Sequence, residues 1–284
     1  MDSTDVPIQE ISGHLARVYA ETQTHLEVSQ IIRDYIADPL DIRQVALEGL
    51  DLSFAERILD LGCGFGFFTK GLQGKVHPDA MVTGIDCHSM YKNLYLKACE
   101  ESGLNGKFDE GGVEILKHFE PGSFDLIICS YAMYFFPEHI RQIASVLTKN
   151  GKFVIITHAR PHMKDFTKYI RKILTENYFE TPETLPYEKL IGNFSNENGI
   201  ELLAPWFRNI KEKESTSTLV FREADFGDFT RYFNFKKSFF VPCKITDIDH
   251  AALVVLNRMK KDLKIKKELS ITKEDYIFVC EGVK

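Results

Sequence analysis

The sequence predicts an α/β protein with a doubly wound, mostly parallel seven-stranded sheet, helices ahead of the sheet, and a helical lid inserted after the fifth strand. Three observations carry that prediction. First, residues 57–70 run from a short apolar segment, Ile58-Leu59, through Asp60, Gly62, Gly64 and Gly66 into a helical pattern from about Phe67. A strand, a glycine turn and a helix in that order make a ligand crevice at the carboxyl end of a sheet. Second, Asp86 closes the next apolar run twenty residues past Gly66, the timing of a ribose-binding acid. Third, apolar runs and helical segments alternate from Arg57 to His158, which implies right-handed crossovers and parallel strands.

Taken in order, residues 1–48 read as a helical cap. Val28, Ile31, Ile32, Tyr35 and Ile36 repeat at helical spacing, Pro39 stops that helix and Asp41 caps the next. Tyr19 and His25, ahead of the periodic helix, are candidates to reach a ligand, set against an ordinary packing role. Residues 49–158 form the binding core. Its strands are 57–61, 81–86, 107–110, 123–130 and 152–157. Helices fall at 89–103 and 137–148, and a turn at Asn150-Gly151 leads into the fifth strand. The ends of parallel strands share an edge, so residues near 62, 86, 112, 130 and 158 line one crevice. Residues 159–192 form the lid, with a helix at 162–176 and an irregular stretch at 177–196 that holds Pro182 and Pro186. Residues 193–284 complete the sheet and lid: a helix at 197–206, a strand at 209–221, helices at 225–236 and 246–265, and a last strand at 275–280. The whole, 1–284, reads as a single domain.

The glycine spacing separates two kinds of nucleoside ligand. A dinucleotide turn wants G-x-G-x-x-G. Here the third glycine comes one residue early and Phe67 stands where the last glycine belongs. The D-x-G-x-G-x-G form resembles the class I S-adenosylmethionine-dependent methyltransferases of the small-molecule type, strongly over 57–158 and in outline beyond. That resemblance implies a Rossmann-like methyltransferase fold and S-adenosyl-L-methionine as cofactor. It implies that Gly62, Cys63 and Gly64 meet the methionine part of the cofactor. Asp60 orders the loop or reaches the cofactor amino group through water. Asp86 binds the ribose and Cys87 lies beside the adenine. The carbonyl of Cys129 or Ser130 accepts from the ammonium, and the last strand runs antiparallel. The chain departs from the family at Gly112, where an acid often binds the adenine amino group. That contact then falls to the Val113 N–H, to Asp109 or to Glu114.

A methyl donor of this kind supplies the electrophile, so the protein mainly orients the acceptor and excludes water. Acceptor-side candidates are therefore residues at the crevice edge. Tyr131 and Tyr134 follow the fourth strand, and His158 ends the fifth with a side chain suited to a general base. Against this stand wall residues and a loop-bonded histidine. Arg222 and Arg231 are candidates for an acidic substrate, with surface arginines as the plainer reading. The aromatic cluster Trp206, Phe207, Phe221, Phe226, Phe229, Tyr232, Phe233 and Phe235 is core in the main, with a pocket for an apolar acceptor as the functional alternative.

Composition narrows the partners to a small-molecule acceptor. Net charge is −6 and 44% of residues are hydrophobic. The sequence isoelectric point is near 5.9, a poor match for DNA or RNA. The Lys-rich run at 259–267 reads as a solvated helix face. Neither an Asn-Pro-Pro-Tyr-type nor a Pro-Cys motif of nucleic-acid methylators occurs. The six cysteines show no C-x-x-C pair and no metal-ligand spacing, which fits reduced thiols in the cytoplasm. Met1 to Glu10 is polar and acidic, unlike a signal peptide, and no apolar run would span a bilayer. Two alternatives remain open: a same-fold enzyme using the cofactor for another transfer, and a non-catalytic S-adenosylmethionine-binding protein.

Overall fold

The computed structural model describes residues 15–37, 40–242 and 244–284. The expectations for Met1 to Glu10, for Pro39 as a helix stop and for Cys243 lie outside the described residues. Two compact units emerge: one holds the described residues of 1–39, 160–192 and 216–274, the other those of 40–159, 193–215 and 275–284.

The seven strands are β1 (Arg57–Leu61), β2 (Met81–Asp86), β3 (Asn105–Glu110), β4 (Phe124–Ser130), β5 (Leu147–His158), β6 (Phe207–Arg222) and β7 (Glu268–Val283), in the order β3-β2-β1-β4-β5-β7-β6. β1 pairs parallel with β2 and β4, β2 with β3, and β4 with β5. β7 runs antiparallel to β5, from Lys152↔Glu281 to His158↔Asp275. This is the doubly wound sheet expected from the sequence, antiparallel strand included. Ile58, Leu59, Ile127, Ile128, Val154 and Ile155 are all fully buried. Strands covered on both faces read as unbroken apolar runs, which is why β1, β4 and β5 are recognisable from sequence.

The register decides what stands at the carboxyl edge. Leu61 pairs with Ile85 on one side and Cys129 on the other. Asp86 pairs with Glu110, and Ser130 with Ile156. The residues after β1, β2, β4 and β5 therefore emerge side by side. Because β7 is antiparallel, its first paired residue, Asp275, arrives at that same edge.

Several element boundaries differ from the sequence reading, each for a local reason. The helix expected from Phe67 is a single 3₁₀ turn, Thr69–Leu72, because Gly74 adopts φ +67° and ends it. The first helix, α1 (Thr22–Tyr35), stops when Ile36 turns extended, and Asp41 caps α2 (Ile42–Leu47) by accepting from Arg43 N. The 89–103 helix is a 3₁₀ turn followed by α3 (Lys92–Glu101). The 137–148 helix is α4 (Ile140–Val146) after a 3₁₀ turn, and 147–151 is extended rather than a tight turn, with a register shift between Phe124 and Leu126 on β4. α7 (Gly199–Leu203) is shorter than 197–206.

In the other unit the helix expected at 162–176 is α5 (Lys164–Glu176). The stretch read as irregular contains α6 (Pro186–Ile191), whose proline sits at the helix start, where its missing N–H costs nothing. α8 (Phe226–Phe240) runs four residues past the end read from sequence, and α9 (Ile248–Lys266) starts two residues later and ends one later than read. Phe221, Phe229, Tyr232 and Phe233 have no exposed surface; Phe229 packs edge-on to Phe221 at 5.4 Å. These rings are core, which corrects the pocket alternative for them. Arg231 is exposed and paired with Asp228, so it is a surface arginine. Among the described residues, no helix is long and apolar enough to cross a membrane.

Candidate functional site

The first half of the site is made of backbone. Gly62 N and Cys63 N donate to Ile85 O at 2.9 and 3.1 Å, fixing the chain as it leaves β1. Gly62 has φ +66°, and a Cβ there would stand 2.7 Å from Ala132 Cβ. Only glycine meets both conditions at once. Gly64, at φ +48°, has nothing within 4 Å of where its Cβ would be, so its face is open to a ligand. Asp86 ties the two turns together: Oδ2 accepts from Gly64 N at 2.9 Å and Oδ1 from His88 N at 3.0 Å. A carboxylate has about four acceptor positions, so about two remain for ribose hydroxyls. Burial raises the Asp86 carboxyl above its usual range.

Asp60 lies beneath this turn with 1% exposure. Its Oδ2 accepts from Thr69 Oγ1 at 2.6 Å, while Oδ1 has no partner among the described residues. Burial, with a smaller contribution from the Asp86 charge, pushes its pKa up to about 7. Cys63 and Cys129 are buried and their thiols are held neutral by desolvation. Tyr131 N donates to Ile156 O at 2.8 Å, which carries the β4–β5 ladder one residue past Ser130. At the end of β3, Asp109 is paired with Lys107 at 2.8 Å. The Glu114 carboxylate folds over Gly112, in the space a side chain there would take. Val113 is buried at the start of a 3₁₀ turn, and Cys87 is exposed. An open glycine face, a carboxylate with spare acceptor positions at Asp86 and an orphaned buried carboxylate oxygen at Asp60 fit a cationic nucleoside such as S-adenosylmethionine.

The second half is made of side chains. The Tyr131 and His158 rings stack at 4.8 Å, and Tyr134 lies parallel to His158 at 5.9 Å. His158 Nδ1 is 2.7 Å from Asp275 Oδ1. The Tyr131 side chain is also hydrogen-bonded to Asp275; burial, then that charge, raises its hydroxyl pKa well above the usual value. Tyr131 takes φ +54°, a left-handed conformation that is uncommon away from glycine. Asn193 Nδ2 donates to the Tyr134 carbonyl at 3.1 Å and Thr157 Oγ1 to the Phe194 carbonyl at 3.1 Å, bracing this wall.

Most sequence-derived candidates thus fall at neighbouring strand ends: Asp60, Gly62, Cys63, Gly64 and Asp86 at the glycine turn, Cys87, Gly112 and Val113 past the adjacent ends of β2 and β3, and Cys129, Ser130, Tyr131, Tyr134 and His158 at the ends of β4 and β5. Tyr19 belongs to the other unit, where its ring packs against His25, Phe235 and Phe239 at 5.0, 6.1 and 6.2 Å. His25 is pushed down to about 3, by burial first and Lys236 second, and so stays neutral. Sequence reasoning misses Thr69 and Asp275. The available signal for Asp275 is an acid opening a strand that would lie antiparallel to the one ending in His158.

Known proteins resemble this chain. The methyltransferase-domain family profile matches residues 52–203. The uncharacterised methyltransferase YcgJ of Bacillus subtilis is 27% identical over 124 residues, 41% of this chain and 47% of its own length. Its crystal structure superposes at a TM-score of 0.50 with 17% identity, covering 92% of this chain and 98% of that one. The demethylmenaquinone methyltransferase of Lactococcus lactis is 31% identical over 125 residues, 41% of this chain and 49% of its own. The chain spans about half the length of these curated relatives. The Haemonchus contortus phospholethanolamine N-methyltransferase 2, solved with S-adenosylhomocysteine, superposes at 0.53 with 14% identity, covering 98% of this chain and 61% of that one. With its glycine turn, timed acid and seven-stranded sheet closed by an antiparallel β7, the chain belongs to the class I S-adenosylmethionine-dependent methyltransferase family.

Proposed function

We propose that this protein transfers a methyl group from S-adenosyl-L-methionine to a small-molecule acceptor. The observation that carries the reading is the pairing of an open glycine turn, tied to Asp86, with an aromatic and histidine wall one strand away. When bound, the cofactor supplies a sulfonium methyl group, an electrophile that needs no activation by the protein.

The residues then divide the remaining work. Gly62, Cys63 and Gly64 present backbone to the methionine part, and Asp86 accepts from the ribose. Asp60 Oδ1 and the Cys129 or Ser130 carbonyl supply the acceptors for its ammonium. Glu114, lying over Gly112, is the better candidate for the adenine amino group, because Asp109 is already paired with Lys107. Cys87 and Val113 flank that position. Tyr131 and Tyr134 orient the acceptor and exclude water, and His158 takes its proton. Tyr19 stays a candidate for cofactor contact. Among the relatives, one is named for demethylmenaquinone, a small molecule. The acidic isoelectric point disfavours nucleic acid, and free thiols at the five described cysteines would suit a reducing compartment such as the cytoplasm.

Incubating the protein with S-adenosylmethionine and a fractionated metabolite extract tests the reading by mass spectrometry. Accumulation of S-adenosylhomocysteine together with an acceptor heavier by one methylene supports it. Release of methylthioadenosine would instead mark a different transfer. Binding without turnover in every fraction would favour a cofactor sensor.

A further inference from the structure

We propose that Asp275 is the positioning residue of a His158 general base, and that the acceptor is therefore a hydroxyl, phenol or other neutral X–H group rather than a carboxylate or tertiary amine. The inference rests on the reading above, that methyl transfer occurs beside His158.

The geometry begins with strand direction. β5 leaves the sheet at His158, and β7 enters it at Asp275, the register partner of His158. A parallel neighbour would have brought its own strand end there; an antiparallel one delivers an acid at the root of the site. Asp275 is only 4% exposed. A carboxylate so buried is stable only with donors around it, and the His158 Nδ1–H at 2.7 Å and the Tyr131 hydroxyl are among its partners. An ionised carboxylate is acceptor-only, so Nδ1 carries the imidazole proton and Nε2 keeps its lone pair. Stacking between Tyr131 and Tyr134 fixes the plane of the ring.

Tyr131 supplies a second, independent sign. Its left-handed backbone is strained for a residue with a Cβ, and nothing in a plain strand exit requires it. The conformation follows directly after its N–H completes the β5 ladder, and the side chain it carries meets both His158 and Asp275. Strain of this kind at a site is retained where the surroundings over-determine it.

Protons and electron pairs balance in this step. The X–H bond of the acceptor breaks, and the proton forms a bond to Nε2. The electron pair left on X would bond the methyl carbon of a bound S-adenosylmethionine, whose carbon–sulfur bond breaks with its pair staying on sulfur, leaving S-adenosylhomocysteine. The imidazolium, stabilised by Asp275 through Nδ1–H, then releases its proton to solvent. A carboxylate or a tertiary amine has no proton to lose and would gain nothing from this pair.

Histidine-selective ¹⁵N NMR of the ligand-free protein reads the central element directly, with the His158 signal assigned by its loss in His158→Gln. The expected result is the Nδ1–H tautomer in the wild type and its conversion to Nε2–H or a mixture in Asp275→Asn. Glu281→Gln, which alters a carboxylate at the far end of the same strand pair, should leave the signal unchanged. With the acceptor found in the extract screen, Asp275→Asn should lower kcat by about 10–100-fold, with KM and S-adenosylhomocysteine affinity within about threefold; Asp275→Glu should recover part of the loss. A wild-type Nε2–H tautomer, an unchanged kcat, or an equal fall in cofactor affinity would overturn the proposal, as would a product methylated on a carboxylate. Because the tautomer is read without cofactor or acceptor, failure of the methyltransferase reading itself would be seen separately.

Discussion

The two halves of the site are built by opposite means. Around β1 and β2 the ligand surface is mainly backbone: glycines, N–H groups and two acids, Asp60 and Asp86, all within residues 60–88. Around β4, β5 and β7 it is side chains, and its key pair joins residues 117 positions apart. The first half depends on local covalent spacing, so D-x-G-x-G-x-G and a timed Asp86 announce it. The second depends on a strand pairing that no local pattern encodes. What the contrast teaches, on the proposed reading, is a division of labour: the glycine turn would set the cofactor class, and the β5–β7 junction what is done to the acceptor.

The largest expected destabilisation lies in the backbone half. Gly62→Val places a β-branched residue at φ +66° with its Cβ within 2.7 Å of Ala132. It should cost about 2–3 kcal/mol in stability, from the strained backbone and the overlap together. It should also lower S-adenosylhomocysteine affinity about 100-fold or more in calorimetry. A folded variant with wild-type affinity would break the idea that this half is a backbone device.

Asp60→Asn sharpens the comparison by pH. The folded Asp60 pKa is about 7, above the ordinary carboxyl value, because burial penalises its charge. The protonated form is therefore the one folding favours. The contribution of Asp60 to stability is fully present below about pH 4, the ordinary carboxyl value, and is lost as the pH rises through about 7. Replacing it with Asn should then matter little near pH 4 and stabilise the ligand-free protein near pH 8. The gain should reach roughly 4 kcal/mol at most, since raising a pKa by one costs the charged form about 1.4 kcal/mol. Thermal melts across that range check the sign. A gain that is constant with pH would show that the carboxyl is not carrying a buried charge.

What is legible in the sequence follows the same division. β1, β2, β4 and β5 are readable because strands buried on both faces must be continuously apolar. Asp41 announces its helix because a cap acts on its immediate neighbours. The pattern after Phe67 misleads because its apolar spacing is right while Gly74 ends the helix after one turn. Pro186 looks like a breaker although it opens α6, since the same fixed φ serves both. In sequence, Asp275 is only the start of a strand. Its role appears once the direction of β7 sets it beside His158.

The most direct test of the division is one calorimetric titration with S-adenosylhomocysteine on the wild type, Asp86→Ala and Tyr134→Ala. The expected result is saturable binding to the wild type, loss of about 100-fold or more in Asp86→Ala, and affinity within about threefold of wild type in Tyr134→Ala. No binding to the wild type, or equal losses in the two variants, would contradict it.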